Sequence, residues 1–363
     1  MNGRVVIEGV EIQDGSDCYV IAEIGHNHQG SVETAKQMFK AAAECGANAV
    51  KLQKRDNRTL YTKDAYNRPY DNENSYGATY GEHREALEFG RDEYKELQAY
   101  AKELGIAFFS TAFDFNSADF LADLDAPAYK IASGDLTNTP LLKYVGEIGK
   151  PVIFSTGGGT LDDVRRAYET LIEVNNEVVV LQCTAGYPAE WDELDLRVIS
   201  SYRDEFPGAV VGFSSHDNGI AMPVAAYVLG AYVVEKHFTL NRAMKGTDHA
   251  FSLEPQGLRK MVRDLRRARL ALGSAEKTMH PSEAAPIVKM GKKIVAARDL
   301  PAGHVLQRED LALKSPGDGM PPYELDRVVG RKLRHPLVEE MALTFELLEE
   351  QELEGALSAS DER

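Results

Sequence analysis

The chain has 363 residues, of which 43% are hydrophobic, and its 41 basic and 57 acidic side chains give a formal net charge of −16. This length suits one large domain with a small second one, and the acidic balance argues against a nucleic-acid partner or an anionic membrane surface. No apolar run approaches the roughly 20 residues that cross a bilayer, and residues 1–16 lack the apolar core of a signal peptide. The sequence therefore predicts a cytoplasmic protein.

The three cysteines, Cys18, Cys45 and Cys183, stand far apart in apolar or strand-like surroundings. They lack the close spacing of a zinc motif. Free cysteine in such surroundings behaves as a small buried hydrophobe. We therefore expect three buried, reduced thiols.

Apolar, β-prone runs alternate with helical patterns along residues 18–272. The first run is followed by a helix whose apolar positions recur at helical spacing and which stops at Gly46. A long polar insertion at 54–85 interrupts the alternation, which then continues to a basic helix. Strands are expected at 18–25, 47–53, 106–112, 128–133, 151–156, 178–183, 210–215 and 232–238, and helices at 32–45, 92–104, 117–124, 140–148, 161–174, 194–206, 220–229 and 255–272.

Eight strands alternating with helices predict a (β/α)8 TIM barrel. A doubly wound open sheet is the alternative, but eight regularly alternating strands favour closure. Strands joined through a helix are parallel, so their carboxyl ends meet at one edge. In a barrel this edge carries the active site.

The composition changes after Gly273. Residues 1–273 form the predicted barrel domain, and 274–291 are predicted to be an extended linker because of their Pro, Ser and Ala content. Residues 292–352 contain short β-prone runs separated by Pro and Gly, typical of a small, mostly β domain. Residues 353–363 are predicted to be a polar tail.

Two histidines end neighbouring predicted strands, His216 and His237. Glu235, Asp217 and Asp248 stand near them in sequence. Paired imidazoles with open positions suit a divalent metal such as Mn²⁺, Fe²⁺, Co²⁺ or Zn²⁺ beside a polar substrate. The alternative is a hydrogen-bonded pair of structural histidines, and His26 with His28, in the loop HNHQG, forms a competing metal site.

Two lysines, Lys51 and Lys130, also end strands, where an ammonium faces the site or is buried at high cost. Hydroxyl side chains end other strands, and two cations with several O–H donors predict a pocket for phosphate or carboxylate. The alternative is that each lysine forms an ion pair with a neighbouring acid. The stretch STGGGT at 155–160 is a further source of backbone donors, or a simple turn. The hydroxyls are those of Thr111, Ser133, Ser155 and Ser214.

Three acids near the strand ends, Glu23, Glu235 and Asp248, are candidates for binding sugar hydroxyls or moving protons. The alternative is that they form salt bridges to Lys51, Lys236 or Lys245. Asp135, in SGDLTN, is a candidate base or a helix N-cap.

The chain closely resembles the sialic acid synthase (NeuB-like) family in the order of its motifs. These motifs are AEIGHNHQG, AVKLQ, FFSTAFD, YKIASGDLTN, FSTGGG, LQCTAGYP, GFSSHD and EKHFTL. The later stretch KSPGDGMPPYELDRVVGRKL resembles the family's C-terminal SAF, or antifreeze-like, domain. The resemblance covers nearly the whole chain.

The resemblance implies condensation of phosphoenolpyruvate with an open-chain, N-acetylmannosamine-like aldose, with release of phosphate by C–O cleavage. It implies a divalent metal, Mn²⁺ first with Mg²⁺ or Co²⁺ as alternatives, on His216 and His237. It further implies a domain-swapped homodimer in which each SAF domain covers the partner's barrel. The implied catalytic residues are Glu23, Asp135, Lys130 and His237, and the implied substrate-binding residues are Lys51, Thr111, Lys130, Ser133, Ser155, Ser214, Tyr187, Glu235 and Asp248.

Three positions depart from the family pattern. Asp135 stands where these synthases commonly carry Glu, Ala185 where Asn often follows Cys-Thr, and Ser315 where an Arg reaches the sugar's N-acetyl group. Lys314 or Arg327 could replace that guanidinium. The departures keep three alternatives open: a synthase for a diacetamido-hexose or mannose, a metal-dependent sugar aldolase or isomerase, and a non-catalytic carbohydrate-binding homologue.

Overall fold

A closed barrel of eight parallel strands forms the larger part of the chain, of which this computed structural model describes residues 3–350. The chain divides after Gly273 into two compact units. In the first unit each barrel strand pairs with the next along the chain and the last pairs with the first, which confirms the predicted (β/α)8 barrel over an open sheet. The strands of this unit are β1 (Arg4–Ile7), β2 (Val10–Gln13), and the barrel strands β3 (Tyr19–Gly25), β4 (Ala49–Lys54), β5 (Ala107–Ala112), β6 (Tyr129–Ile131), β7 (Val152–Ser155), β8 (Val178–Cys183), β9 (Val210–Ser215) and β10 (Val233–His237).

Helices surround the barrel, and the predicted polar insertion at 54–85 contains three short ones. No helix within residues 3–350 is both long and apolar enough to cross a membrane. The helices of this unit are α1 (Val32–Cys45), α2 (Asn57–Leu60), α3 (Lys63–Tyr66), α4 (Tyr80–Glu85), α5 (Arg91–Leu104), α6 (Phe115–Ala122), α7 (Thr139–Glu147), α8 (Leu161–Ile172), α9 (Val198–Glu205), α10 (Ala221–Val228) and α11 (Pro255–Leu272).

Helix α1 shows how local sequence sets an element's ends. Ser31 caps its first turn by accepting a hydrogen bond from the backbone N–H of Thr34. Gly46 ends it in the left-handed conformation, at φ 87°, which glycine adopts without steric cost. Prediction and structure therefore agree here, whereas α9 begins four residues later than predicted because Asp195 has a φ of 44°, which a right-handed helix excludes.

The two faces of the barrel strands belong to different cores. Outward side chains such as Val20 and Ala22 pack against the helices, while Tyr19 and Ile21 point into the barrel. The hairpin β1–β2, which the sequence analysis did not anticipate, packs Val5, Ile7 and Ile12 against the interior cluster. The interior is thus filled by apolar side chains at one end, and its polar side chains belong to the carboxyl ends of the strands.

The second unit is a small domain with its own apolar core. Two short antiparallel strands, β11 (Lys293–Ala296) and β12 (Leu311–Lys314), pair in it, and isolated bridges such as Leu300 with Leu337 extend the pattern. The predicted extended linker is wrong in part, because residues 284–290 form a helix, α12 (Ala284–Met290), and a further short helix, α13 (Leu325–Val328), follows β12. The predicted tail, 353–363, lies outside the described residues.

Candidate active site

A cavity of about 540 Å³ lies at the carboxyl ends of the barrel strands. Every catalytic, substrate-binding or metal residue that the family resemblance implies lines it, with the exception of Asp135. The predicted residues that it brings together are Glu23, Lys51, Thr111, Lys130, Ser133, Ser155, Tyr187, Ser214, His216, Glu235, His237 and Asp248.

Strand alternation and register explain why residues so distant in sequence meet here. Successive side chains of a strand point to opposite faces, so Glu23 follows Ile21 into the barrel. Glu23 is paired in register with Lys51 on one side and with His237 on the other. Thr111 is likewise paired with Lys130. The polar residues of the cavity are therefore inward-facing side chains near the carboxyl ends of the eight strands.

Lys51 forms an ion pair, which was the alternative to an anion-binding role for this lysine. Its Nζ lies 2.5 Å from Oε2 of Glu23 and 3.6 Å from Oε1 of Glu235, and it donates to Oγ1 of Thr111 at 2.8 Å. All three charged groups are buried. Two carboxylates thus share one ammonium, and burial, with the charge of Glu235 adding to it, raises the pKa of Glu23 to about 7.

Lys130 is a buried cation without such a partner. Its Nζ donates to Oγ of Ser155 at 2.7 Å and to the carbonyl oxygen of Ile131 at 3.0 Å. No carboxylate of residues 3–350 lies within 4 Å of it, and burial lowers its pKa. Because a buried ammonium without a close ion-pair partner is costly, this end of the cavity favours an anionic ligand. The cavity-lining hydroxyls of Ser133 and Ser214 are further donors for such a ligand.

Glu235 lies between the two lysines. Burial opposes its ionisation, but the charges of Lys130 and Lys51 outweigh burial and lower its pKa. Its Oε2 is buried and has no hydrogen-bond partner among the described residues. Glu235 is therefore an ionised acceptor that is available to a donor from a ligand.

The glycine stretch at 155–160 does not add backbone donors to the cavity. The N–H of Gly157 donates to Oγ of Ser133 at 3.0 Å, and Thr160 and Asp163 cap the start of α8 reciprocally. Of this stretch only Ser155 lines the cavity. The simple-turn alternative is the one that the structure supports.

His216 and His237 face each other across 5.4 Å between ring centroids. The Nδ1 of His216 lies 2.8 Å from the carbonyl oxygen of Thr184, so Nδ1 carries the proton and Nε2 is left as an acceptor. The Nδ1 of His237 is buried without a hydrogen-bond partner in the described chain, and burial lowers the pKa of this ring to about 4. Each ring thus has a nitrogen without a hydrogen-bond partner among the described residues that is available to a metal.

These donors fit a divalent metal that keeps other positions for water and substrate. Residues 3–350 hold no group of three or more His, Cys, Asp or Glu side chains arranged to bind an ion, so the histidine pair would have to be completed by non-protein ligands. Tyr187 lies against His216 with ring centroids 4.3 Å apart, and Phe251 lies 4.9 Å from His237. These rings form an apolar wall beside the pair.

Two acids near the histidines have different positions. Asp248 lines the cavity, with Oδ2 at 3.8 Å from Nδ1 of His237. Asp217, which the sequence placed near the metal, instead forms a fully buried ion pair with Lys236 at 3.0 Å, supported by Ser215. The period of two explains this correction, because Lys236 points away from the barrel interior that Glu235 and His237 face.

The competing metal site at His26 and His28 is not formed. The two ring nitrogens of His26 lie 3.1 Å from Nη1 of Arg55 and 3.1 Å from Nη1 of Arg84. His28 stacks on Phe89 and its Nδ1 accepts from Gly30. Neither ring has the free, converging lone pairs that a shared cation needs.

Asp135 lies in a 3-10 turn, Ser133–Asp135, and does not line the cavity. Its Oδ1 accepts from Nδ2 of Asn138 at 3.1 Å, and burial raises its pKa. The N-cap alternative is wrong, because Asn138 caps α7. Its assignment as a base stays a prediction.

Besides Cys183, sequence reasoning missed five polar or aromatic side chains that line the cavity, one of which is that of Thr247. The signal for two of them was present, since Gln53 and Arg55 continue the inward alternation that begins at Lys51. Arg84 lies on α4, inside the stretch interpreted as a polar insertion, and no local pattern marked it. Phe113, the fifth, lies directly after β5 and stacks on the guanidinium of Arg55 at 3.8 Å.

The cysteines are free thiols in the structure. Cys45 and Cys183 are buried as predicted, but Cys18 is only partly buried. Cys183 also lines the cavity, where Oγ of Ser133 donates to its Sγ at 3.6 Å.

Ser315, which departs from the family pattern, and the two nearby cations Lys314 and Arg327 all have partners within the second unit. Ser315 is exposed and accepts a hydrogen bond from Nζ of Lys292 at 2.6 Å. Lys314 pairs with Glu340 and Arg327 with Glu324, each at 2.6 Å. Each of these two cations therefore has an acidic partner within the second unit.

Both units of the chain resemble known proteins. A model of the NeuB family matches residues 38–277, and a model of the SAF domain matches residues 293–349. N-acetylneuraminate-9-phosphate synthase of Mus musculus is 41% identical over 92% of this chain and 93% of its own length. N,N'-diacetyllegionaminic acid synthase of Legionella pneumophila is 36% identical over 96% of this chain and 100% of its own length. The sialic acid synthetase of Leptospira borgpetersenii, solved in complex with citrate, has a TM-score of 0.70 and 28% identity over 79% of this chain and 96% of that one.

Proposed function

The chain belongs to the NeuB family of sialic and nonulosonic acid synthases, and we propose that it condenses phosphoenolpyruvate with an open-chain, N-acetylmannosamine-like aldose. One observation carries the proposal. The buried, carboxylate-free ammonium of Lys130 and its hydroxyl neighbours share a single cavity with the histidine pair. An anion pocket beside a Lewis-acid site suits the attack of a weak carbon nucleophile on a carbonyl.

The anion end of the cavity would hold phosphoenolpyruvate. Lys130 neutralises charge there, while Ser155 fixes its ammonium at 2.7 Å. The other donors for the phosphate and carboxylate groups are Lys51, Thr111, Ser133 and Ser214. Burial of these groups strengthens each of their interactions with an anion, because little water competes.

The aldose would lie with its aldehyde towards His216 and His237. A divalent ion held by these two histidines would polarise the aldehyde, with Mn²⁺ as the first choice and Mg²⁺ or Co²⁺ as alternatives. Glu235 and Asp248 would accept hydrogen bonds from the sugar's hydroxyls, and the ring of Tyr187 would cover them. Glu23, whose pKa burial raises to about 7, is our candidate for moving a proton at the aldehyde oxygen.

The reaction makes one C–C bond and one C–O bond from C2 to water, and it breaks the C–O bond from C2 to phosphate. C3 of the enol attacks the aldehyde carbon, and the aldehyde oxygen takes up a proton. Water adds at the cationic C2 and loses one proton. Phosphate then leaves with the electron pair of the C2–O bond and takes up the proton of the C2 hydroxyl, which becomes the ketone. Asp135 remains a candidate base, and the predicted homodimer with a swapped SAF domain remains a prediction.

The names of the relatives differ in the sugar. The mouse relative is named for a 9-phosphate product and the Legionella relative for diacetyllegionaminic acid. A panel of mannose, N-acetylmannosamine and diacetamido-hexoses, each with phosphoenolpyruvate and Mn²⁺, tests the proposal by phosphate release. We expect release with at least one aldose and none from the Lys130→Met variant. Turnover of a sugar without phosphoenolpyruvate would indicate an aldolase or isomerase, and binding without turnover would indicate a carbohydrate-binding homologue.

A further inference from the structure

A second cavity, of about 400 Å³, lies on the first unit and shares no lining residue with the candidate active site. Its wall is strongly basic. Four guanidinium groups line it beside one carboxylate, that of Glu44, which is itself paired with Lys40 at 3.9 Å. The four arginines all belong to α11, and we call them the arginine row: Arg259, Arg263, Arg266 and Arg267.

The arginine row lies towards the amino ends of the barrel strands. A smaller adjoining cavity shares Gly46 and Arg266 with it and is also lined by Cys18, the residue that precedes β3. The candidate active site lies at the opposite, carboxyl ends of the strands. A ligand of the arginine row would therefore be distinct from the substrates of the catalytic cavity.

The residue pattern of α11 produces the row. The buried residues of this helix recur at helical spacing, and the arginines follow at i, i+4, i+7 and i+8, which places them in one stripe beside the buried face. All four arginines are exposed. Like charges four residues apart weaken a helix, so neither helix formation nor core packing accounts for the row. The buried residues are Leu258, Met261, Val262 and Leu265.

The protein supplies little counter-charge to the arginine row. Asp264 serves two of its members, with Oδ1 at 2.8 Å from Nε of Arg263 and at 3.7 Å from Nη1 of Arg267. Within residues 3–350, no carboxylate lies closer than 4 Å to Arg259 or Arg266. In a chain whose formal net charge is −16, the row is therefore a local excess of positive charge.

Arg266 holds its guanidinium against the wall of the cavity. It lies over Gly46, the residue that ends α1 at φ 87°, where a Cβ would be 3.2 Å from Nη2 of Arg266. In the part of the chain that the structure describes, this guanidinium has no hydrogen-bond acceptor. Its planar fork of N–H donors is thus presented to solvent or to a ligand.

The dimensions of the row favour a ligand with linked phosphates. Arg259 and Arg267 are eight residues apart on α11, which is about 12 Å at a rise of 1.5 Å per residue. One phosphate contacts only part of such a row, whereas a chain of phosphates can pair with several guanidinium groups at once. Val262 and Leu270 add an apolar wall, and Leu270 is 82% exposed. The cavity therefore also has a surface for an apolar ring, and its size is typical of small-molecule sites.

We propose that the arginine row is a second ligand site, which binds a small polyanion with two or more linked phosphate groups, as in a nucleoside triphosphate or inorganic triphosphate. Guanidinium groups pair with phosphate oxygens through two parallel hydrogen bonds, and the linked charges of the ligand match the row of cations. The inference does not depend on the proposed function, since no member of the row lines the catalytic cavity.

Binding by the full-length, metal-free protein tests this inference. Calorimetry in the presence of saturating phosphoenolpyruvate would compare inorganic triphosphate, ATP and CTP with inorganic phosphate. We expect triphosphate to bind at least about 10-fold more tightly than phosphate, because further charge-assisted hydrogen bonds form. Tighter binding of the nucleotides than of triphosphate would identify a nucleotide site, and equal binding would identify the phosphate chain itself. Equal affinities for triphosphate and phosphate, or no binding, overturn the inference.

Two double variants with the same change in net charge locate the site. Arg266→Gln with Arg267→Gln should weaken triphosphate binding at least about 10-fold. Arg165→Gln with Arg166→Gln is the matched control, since these neighbouring arginines lie on α8 and pair with acids of their own. It should bind triphosphate as the wild type does. Equal weakening by both double variants would mean that net charge alone attracts the anion, and it contradicts the assignment.

Two further measurements separate this site from the alternatives. Lys130→Met should leave triphosphate affinity unchanged, and loss of binding in this variant would place the anion in the catalytic cavity instead. A peptide of seven glutamates should bind more weakly than triphosphate. Tighter binding of the peptide would assign the arginine row to an acidic protein segment and overturn the small-molecule site. The wild-type comparison of triphosphate with phosphate decides even if a variant does not fold.

Discussion

Lys51 and Lys130 line one cavity, yet Lys51 lies 2.5 Å from Glu23 whereas no described carboxylate is within 4 Å of Lys130. Both ammonium groups are buried. The first forms a close ion pair with Glu23, while the second interacts with the charge of Glu235 only at more than 4 Å. The two lysines should therefore respond in opposite ways to the same substitution.

We expect Lys130→Met to lower kcat/KM for phosphoenolpyruvate at least about 1000-fold, as loss of a buried stabilising donor does, while the free energy of unfolding stays unchanged or rises. The physical reason is that the variant removes a buried charge that has no carboxylate within 4 Å among the described residues. Lys51→Met, the matched variant, should lower the free energy of unfolding by about 3 kcal/mol, because it leaves two buried carboxylates together. Urea unfolding of both variants measures the difference. Equal destabilisation by the two changes would contradict this account.

Glu23 should make stability depend on pH. Its pKa of about 7 in the folded protein exceeds its ordinary value of 4.5, so the folded protein keeps a proton that the unfolded chain has released between these values. The free energy of unfolding of the wild type, minus that of Glu23→Gln, should therefore fall as pH rises through this window, by up to about 3 kcal/mol. Taking the difference removes the titration of other groups. A difference that rises with pH would mean that Lys51 dominates and the pKa of Glu23 is lowered instead.

Manganese binding should depend on both histidines of the pair. We expect His216→Ala and His237→Ala each to weaken Mn²⁺ binding at least about 100-fold, because each removes one of the two protein ligands. His280→Ala, at an exposed position, is the control. Calorimetric titration of metal-free protein measures the affinity without reference to activity. If both histidine variants bound Mn²⁺ as tightly as the wild type, His216 and His237 would not be its ligands.

The buried ion pair of Asp217 and Lys236 should contribute to the stability of the fold and not to metal binding. Asp217→Asn leaves the ammonium of Lys236 buried without its counter-charge, so we expect the free energy of unfolding to fall by about 3 to 5 kcal/mol. The double variant Asp217→Leu with Lys236→Met should recover most of this loss. Denaturant unfolding gives both values, and Mn²⁺ affinity of the folded single variant should match the wild type. A large loss of Mn²⁺ affinity in this variant would instead indicate that Asp217 contributes to the metal site.

Most of the site was predictable because strand alternation is a local property. Once Glu23, Lys51, Thr111 and Lys130 are recognised at the ends of parallel strands, barrel closure brings them together. The same rule separates Asp217 and Lys236 from the cavity, but it requires the register of each strand, which the sequence does not reveal. Arg84 and His26 meet through the fold of residues 54–85, where no periodic pattern exists.

The sequence by itself determined the barrel, the family and twelve cavity residues, because hydrophobic period, strand order and motif order are all written along the chain. Only the tertiary structure decided how charges are shared among them. Whether a lysine is neutralised depends on distances of a few ångströms between strands, and the Coulomb energy of buried groups changes steeply over such distances. Lys51 is consequently an ion-paired group, whereas Lys130 has no carboxylate within 4 Å among the described residues, although both look alike in sequence. Arg55 and Arg84 are a similar case, since only the folded chain brings both guanidinium groups to the ring of His26.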